Sequence, residues 1–343
     1  MATAIYCVES QVCSICPLYH FINTEQECHR FLVGTSNFTA DNKIHLLEFQ
    51  DETNTLECNV AWNHEFRISG IWNSPSLSGK SLVATASTNT FQILQIPENL
   101  LMEPEHILSI EKKITQALWD LEGLQTDLKI VEPQAVCTLS LESDKIGAET
   151  SFYRIGPDQI LHTALDPHNS FLCLISCADS GLQLIDFRSK EVNKIENTDR
   201  LHGYQGALHV DFSSLKPNKI LTCGHDGIVH THDFRMNSKN TVLEHKRYIR
   251  AHDHAVRRAF FNPFHDDLVL TGGSDHCLKL WDLNDVEKPS CIRQLSYFED
   301  SVMDICWSSN GPWVFAGASY NGKVIVDTVP NEKKMSILLE EQK

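Results

Sequence analysis

Between Cys223 and Arg235 the stretch CGHDGIVHTHDFR gathers one cysteine, three histidines and two aspartates into thirteen positions. Imidazole, thiolate and carboxylate are the donors that hold zinc, and a tetrahedral site needs four of them converging. His230 and His232 stand two apart, which places them on one face of a strand because strand side chains alternate with a period of two. His225 falls across the turn at Asp226 and Gly227, so this face lacks a third ligand and no metal is expected. A pH-sensitive contact is the other use of such histidines.

The remaining candidates for chemistry are few. Cys13 and Cys16 form one CxxC, and Cys173 and Cys177 are the one companion pair for a structural zinc site, so no zinc is expected there either. The chain has no GxSxG, P-loop, HExxH or GxGxxG, and no catalytic residue or cofactor is expected.

These residues are placed by a repeat. HDGIVHTHD (225 to 233) lies over SDHCLKLWD (274 to 282), ADSGLQLID (178 to 186) and SYNGKVIVD (319 to 327), with weaker copies ADNKIHLLE (40 to 48) and STNTFQILQ (87 to 95). Each reads as turn residues, alternating apolar residues and usually an acidic end, the pattern of a β-hairpin. The last positions, 48, 95, 186, 233, 282 and 327, are 47, 91, 47, 49 and 45 apart, and the gap of 91 has room for one degenerate unit. Such a period, with four short strands per unit, predicts an all-β, seven-bladed WD-repeat β-propeller over residues 1–343 as a single domain. Apolar strands ending near Pro or Ser, such as GIWNSP (70 to 75), HVDFSS (209 to 214) and DICWSS (304 to 309), are the expected inner strands. In the degenerate unit near 113 to 155, ITQALW and AVCTLS read as strands. The expected ring closes blade against blade, with AIYCVESQVCSICP as the first inner strand and KMSILLE as the last outer strand.

In the unit at 252 to 282, His252, Thr271, Asp275 and Trp281 occupy the positions of a buried hydrogen-bond relay, each satisfying another that burial would otherwise orphan. The preceding unit offers His202, Thr222 and Asp226, with His232 in place of Trp. The segment HKRYIRAHDHAVRR (245 to 258) concentrates basic residues, and its Arg257 and Arg258 are candidate partner-binding residues; the bland alternative is a solvated loop.

The chain's 343 residues are 42% hydrophobic and 22% charged, the composition of an ordinary globular protein. Its 29 Lys and Arg stand against 45 Asp and Glu, and a net charge of −16 repels phosphate backbones, so nucleic acid is not an expected partner. No segment approaches a membrane span and the N-terminus has no basic n-region, so a cytosolic protein with reduced cysteines and no direct membrane insertion is expected.

The segments RFLVGT (30 to 35), DNKIHLLEF (41 to 49), DDLVLTGGSD (266 to 275), EDSVMDICWSSNGPWVFAGASYNGKV (299 to 324) and MSILL (335 to 339) resemble the EARP and GARP complex-interacting proteins. The resemblance implies a non-catalytic adaptor, monomeric outside its complex, that binds subunits of the EARP and GARP vesicle-tethering complexes. It implies a cytoplasmic protein, peripherally at the trans-Golgi network and recycling endosomes, serving endosomal recycling and endosome-to-Golgi transport. An alternative comes from IDFR (185 to 188) and HDFR (232 to 235), which are similar to the WDxR boxes of cullin-RING ubiquitin-ligase substrate receptors. Arg188 and Arg235 would then be docking residues, unless each simply pairs with the acidic residue that ends its strand.

Overall fold

Each turn-and-strand copy read from the sequence is the third strand of a four-stranded antiparallel sheet in the computed structural model. The structure describes residues 3–19, 28–38, 41–75, 81–119, 127–142, 146–189, 191–236, 241–284 and 289–340, and Ala40, which opens one weak copy, lies outside them. Seven such sheets follow one another along the chain as the blades of a propeller. The degenerate unit supplies blade three, with strands Gln116–Trp119, Asp127–Glu132, Ala135–Ser140 and Glu149–Arg154. ITQALW ends as its first strand and AVCTLS is its third.

The second and third strands of each blade are covered on both faces by neighbouring blades. Strands such as Leu268–Gly273 and Val314–Ser319 are therefore buried at every position. Between blades five and six, Leu221, Cys223 and Val229 pack against Val256, Ala259 and Trp281. Burial of each large apolar side chain contributes about 1.5–3 kcal/mol, so the blade-to-blade faces carry the stability of the ring.

The ring closes differently from the expectation. AIYCVESQVCSICP is two strands, interrupted at Glu9 and Ser10. Val12–Pro17 is the inner strand of blade one, whereas Ala4–Cys7 pairs with Lys323–Val326 and becomes the outer strand of blade seven. Val8 N continues the ladder by donating to Gly322 O at 2.9 Å. KMSILLE lies instead in the helix Asn331–Glu340. Its Glu, Lys, Met and Leu residues are strong helix formers, and Pro330 ahead of them stops the preceding strand from continuing. Ile337 buries against the core of blades six and seven, and Lys333 reaches Asp282 at 2.6 Å.

The first strand of each blade lines a central cavity of about 400 Å³. In five of these strands the register slips by one residue near the start, between Val12 and Ser14, Ile160 and His162, Ala207 and His209, Val256 and Arg258, and Val302 and Asp304. Such bulges bend a strand and re-aim its side chains. No helix among the described residues is long and apolar enough to cross a membrane.

Candidate functional site

Blade six brings four distant side chains into one chain of hydrogen bonds. His252 Nδ1 lies 2.7 Å from Asp275 Oδ1 and its Nε2 lies 2.8 Å from Thr271 Oγ1, while Trp281 Nε1 donates to Thr271 Oγ1 at 3.1 Å. Gly273 leaves room for the imidazole, since a Cβ there would stand 2.3 Å from His252 Nδ1. Burial alone would raise the Asp275 carboxyl; the hydrogen bond and charge of His252 outweigh it and hold the pKa at about 2.

Blade five repeats the arrangement with a substitution. His202 Nδ1 lies 3.0 Å from Asp226 Oδ1, its Nε2 lies 2.9 Å from Thr222 Oγ1, and His232 Nε2 approaches the same hydroxyl at 3.1 Å, in the place of the tryptophan. Blade two holds a reduced version that the sequence reading missed: His64 Nε2 is 3.1 Å from Thr85 Oγ1, and Phe66 O at 2.6 Å takes the place of the aspartate. The signal was available in the spacing. His64 and Thr85 are 21 apart, beside 20 and 19 in the other two blades.

The opening histidines are more crowded than their own strand predicts. His245, on the neighbouring strand Thr241–Arg250, is the residue opposite His232, and its Nε2 lies 2.8 Å from His230 Nδ1. The expected lack of a third imidazole on this face is therefore corrected, because strand pairing adds a ligand type that spacing along one strand cannot show. His202, Asp226 and His230 also offer one donor atom each within 4.8 Å of one another. Both nitrogens of His202 are already engaged by Asp226 and Thr222, so a cation here would displace a relay bond. Burial first, then the charges of neighbouring imidazoles, push His230 to about 4 and His232 to about 3. These rings are neutral at pH 7.

A second histidine pair, His209 buried and His162 half-buried, stands at the inner wall. His162 and His209 lie with ring centroids 3.9 Å apart, and burial followed by neighbouring cationic groups holds both well below the usual histidine range. The backbone at Ala259 is the polar group facing the His209 ring. Nearby, burial pushes Asp211 up to about 7 although its carboxylate accepts from Phe261 N at 2.9 Å.

The two cysteine pairs stand on different blades, Cys13 and Cys16 on blade one and Cys173 and Cys177 on blade four, so they do not converge. Burial pushes Cys173 and Cys177 up to about 12 and about 11, which keeps them as thiols.

The basic segment 245 to 258 does not form one surface. Lys246, Arg247 and Arg250 lie on the outermost strand of blade five, whereas Arg257 and Arg258 lie on the innermost strand of blade six. The segment spans the radius of the ring, and of these residues Arg258 lines the central cavity.

Arg188 and Arg235 clasp the strand-ending aspartates Asp186 and Asp233, each with two guanidinium nitrogens on two carboxylate oxygens at 2.7–3.1 Å. These hydrogen bonds hold both carboxyls below the usual carboxylate range. Both arginine side chains are more than half exposed. Such surface pairs contribute little to stability. Arg188→Ala and Arg235→Ala are therefore expected to leave the thermal melting curve unchanged; a lowered midpoint would show that the pairs are needed for folding.

Residues 1–281 match the family model described as the EIPR1 beta-propeller, and residues 289–326 match the WD domain, G-beta repeat. The chain is 28% identical to EARP and GARP complex-interacting protein 1 of Rattus norvegicus and of Homo sapiens, each alignment covering 98% of this chain and 99% of the relative. It is also 26% identical to WD repeat-containing protein DWA2 of Arabidopsis thaliana, over 90% of this chain and 92% of that protein.

Proposed function

Because the chain belongs to the EIPR1 beta-propeller family, we propose that it is a non-catalytic adaptor that binds the EARP and GARP complexes. The observation that carries this reading is similarity along almost the whole chain to relatives named for that interaction. The geometry is compatible with it. The histidine, threonine and aspartate groups are spent on one another within the blades, leaving loops and blade edges as the surfaces a rigid ring presents to partners. In this reading residues 1–343 act as one propeller, and the protein supports endosomal recycling and retrograde transport to the Golgi, reaching membranes through the complex it binds.

Affinity purification of the tagged protein from cells, followed by mass spectrometry, tests the reading. Tethering-complex subunits are the expected co-purifying proteins. Recovery of cullin-ligase adaptors without tethering subunits would transfer the protein to the ligase-receptor alternative, in which case Arg188→Ala and Arg235→Ala should abolish that recovery.

A further inference from the structure

Blades five and six carry the same relay but differ at two positions that decide what it can hold. Where blade six has Trp281, blade five has His232, and where blade six has Lys279, blade five has His230. The ammonium of Lys279 lies 3.8 Å from Asp275 Oδ2 and gives that carboxylate a built-in cation. Asp226, the matching carboxylate, pairs with no lysine or arginine among the described residues. An imidazole stands beside it instead, a group that binds a cation rather than supplying one when neutral.

The exchange of tryptophan for histidine also changes which way the relay protons can point. In blade six the indole can only donate to Thr271 Oγ1. The hydroxyl's own proton then goes to His252 Nε2 at 2.8 Å, closer than its other acceptor, Lys279 O at 3.3 Å, and His252 turns Nδ1–H toward Asp275. In blade five His232 Nε2 can accept as well as donate, so the relay can run in reverse. Thr222 then donates to His232 Nε2 at 3.1 Å and accepts from His202 Nε2 at 2.9 Å. That leaves His202 Nδ1 as a lone pair 3.0 Å from Asp226 Oδ1, an arrangement that is repulsive unless a cation stands between them. The reversal also puts a proton on His232 Nδ1, which is buried without a partner, and this cost keeps the relay in its ordinary direction until a cation binds.

The donors for such a cation are in place. His202, Asp226 and His230 each offer one atom within 4.8 Å of the others, and the rings of His202 and His230 have centroids 4.8 Å apart. Asp226 Oδ1 also accepts from Ile228 N at 3.1 Å, and His230 Nδ1 has His245 Nε2 at 2.8 Å. With Thr222 behind His202, each donor group has the outer partner that orients a metal ligand. Asp226 is exposed and His230 half-buried, so a fourth position opens to water. His202 lies 24 residues before Asp226, outside the thirteen-residue stretch, which is why that stretch by itself shows too few ligands.

We propose that His202 Nδ1, Asp226 and the His230 nitrogen not engaged by His245 form a binding site for zinc or a similar divalent transition-metal ion, with water in the fourth position. Two imidazoles and one carboxylate suit that class of ion, whereas calcium and magnesium favour all-oxygen sites. Binding moves the His202 proton from Nδ1 to Nε2 and ties the segment before blade five to the third strand of that blade. The site is independent of the adaptor reading.

The test uses the full chain, purified without a histidine tag and stripped with a chelator, then titrated with zinc ion alone near neutral pH. Wild-type protein is expected to bind one ion at this site and to melt at a higher temperature as zinc rises, with no response to magnesium. His230→Lys installs the blade-six arrangement and should weaken zinc binding at least about tenfold. His232→Trp replaces no ligand but blocks the reversed relay, and should weaken binding by a similar factor. Where His230→Lys lowers the metal-free melting curve, His230→Gln removes the ligand without adding charge and carries the same expectation. Cobalt in place of zinc should give a spectrum without a thiolate band, which separates this site from the twelve cysteines. Unchanged zinc affinity in the His230 or His232 variants, a thiolate band at one equivalent of cobalt, or an equal response to magnesium would overturn the proposal.

Discussion

Lowering the pH from 7 to 5 is expected to reduce folding stability, because the loss from the buried histidines exceeds the opposing gain from Asp211, whose carboxyl is pushed up to about 7 in the fold and so adds stability as pH falls. His162 and His209 are held well below the usual range, His230 at about 4 and His232 at about 3, all with burial as the first cause. The unfolded chain takes up these protons near pH 6.5 while the folded chain does not, so stability is fully present above pH 6.5 and declines as pH falls through it. For buried His232, held at about 3, the loss approaches about 1.4 kcal/mol per pH unit, or about 2 kcal/mol at pH 5, and His162 and His209 act in the same direction. His230 is more exposed and contributes less. Against a typical total of about 5–15 kcal/mol this is a large effect.

Urea unfolding at a series of pH values measures it directly. His209→Phe removes one titrating ring whose burial holds it neutral, and should flatten the profile. His232→Trp gives blade five the indole that Trp281 supplies in blade six, and should flatten it further. Identical urea midpoints at pH 7 and pH 5 in the wild type, with no change in that difference in His209→Phe or His232→Trp, would show that these histidines are protonated in the fold.

The second large effect concerns the strand that closes the ring. Removing the residues before Glu9 takes away the four-residue ladder on Lys323–Val326, the buried side chains of Ala4 and Val8, and the hydrogen bond from Thr3 to Asp327. The loss is expected to be about 3–5 kcal/mol. It also leaves Lys323–Thr328 as an open edge, which invites pairing with another chain. The truncated protein should unfold at lower urea and elute partly as oligomers; wild-type behaviour in both assays would mean that the seventh blade stands on three strands.

What was legible in the sequence followed from local rules. In six blades the third strand carries its turn and its alternation within nine or so residues, and the gap of 91 marks the seventh, so the repeat and the blade count could be read off. The His–Thr–Asp relays of blades five and six were legible for the same reason, as fixed offsets along one repeat. Closure was not, because the sequence shows no turn joining Ala4–Cys7 to its partner, and four residues of modest apolarity look the same inside one long strand as in two short ones. The convergence of His245 on His230 and the split of the basic segment were hidden for a related reason. Both depend on which strand lies beside which, and on how far each stands from the channel, and neither is a property of spacing along the chain.

The pairing of Ala4–Cys7 with Lys323–Val326 also orders events in time. Thr3 bonds to a residue 324 positions away, so the earliest-made strand of the ring joins its latest-made one. Contacts of such long sequence separation form late, because the loop between them must be ordered first. Through most of synthesis the growing chain is an open arc whose leading strand is unpaired and whose newest blade has one bare face. Those surfaces are what folding helpers would have to shield. The closing strand is thus a checkpoint on completeness, since a chain that stops short of residue 323 has nothing for its own beginning to hold.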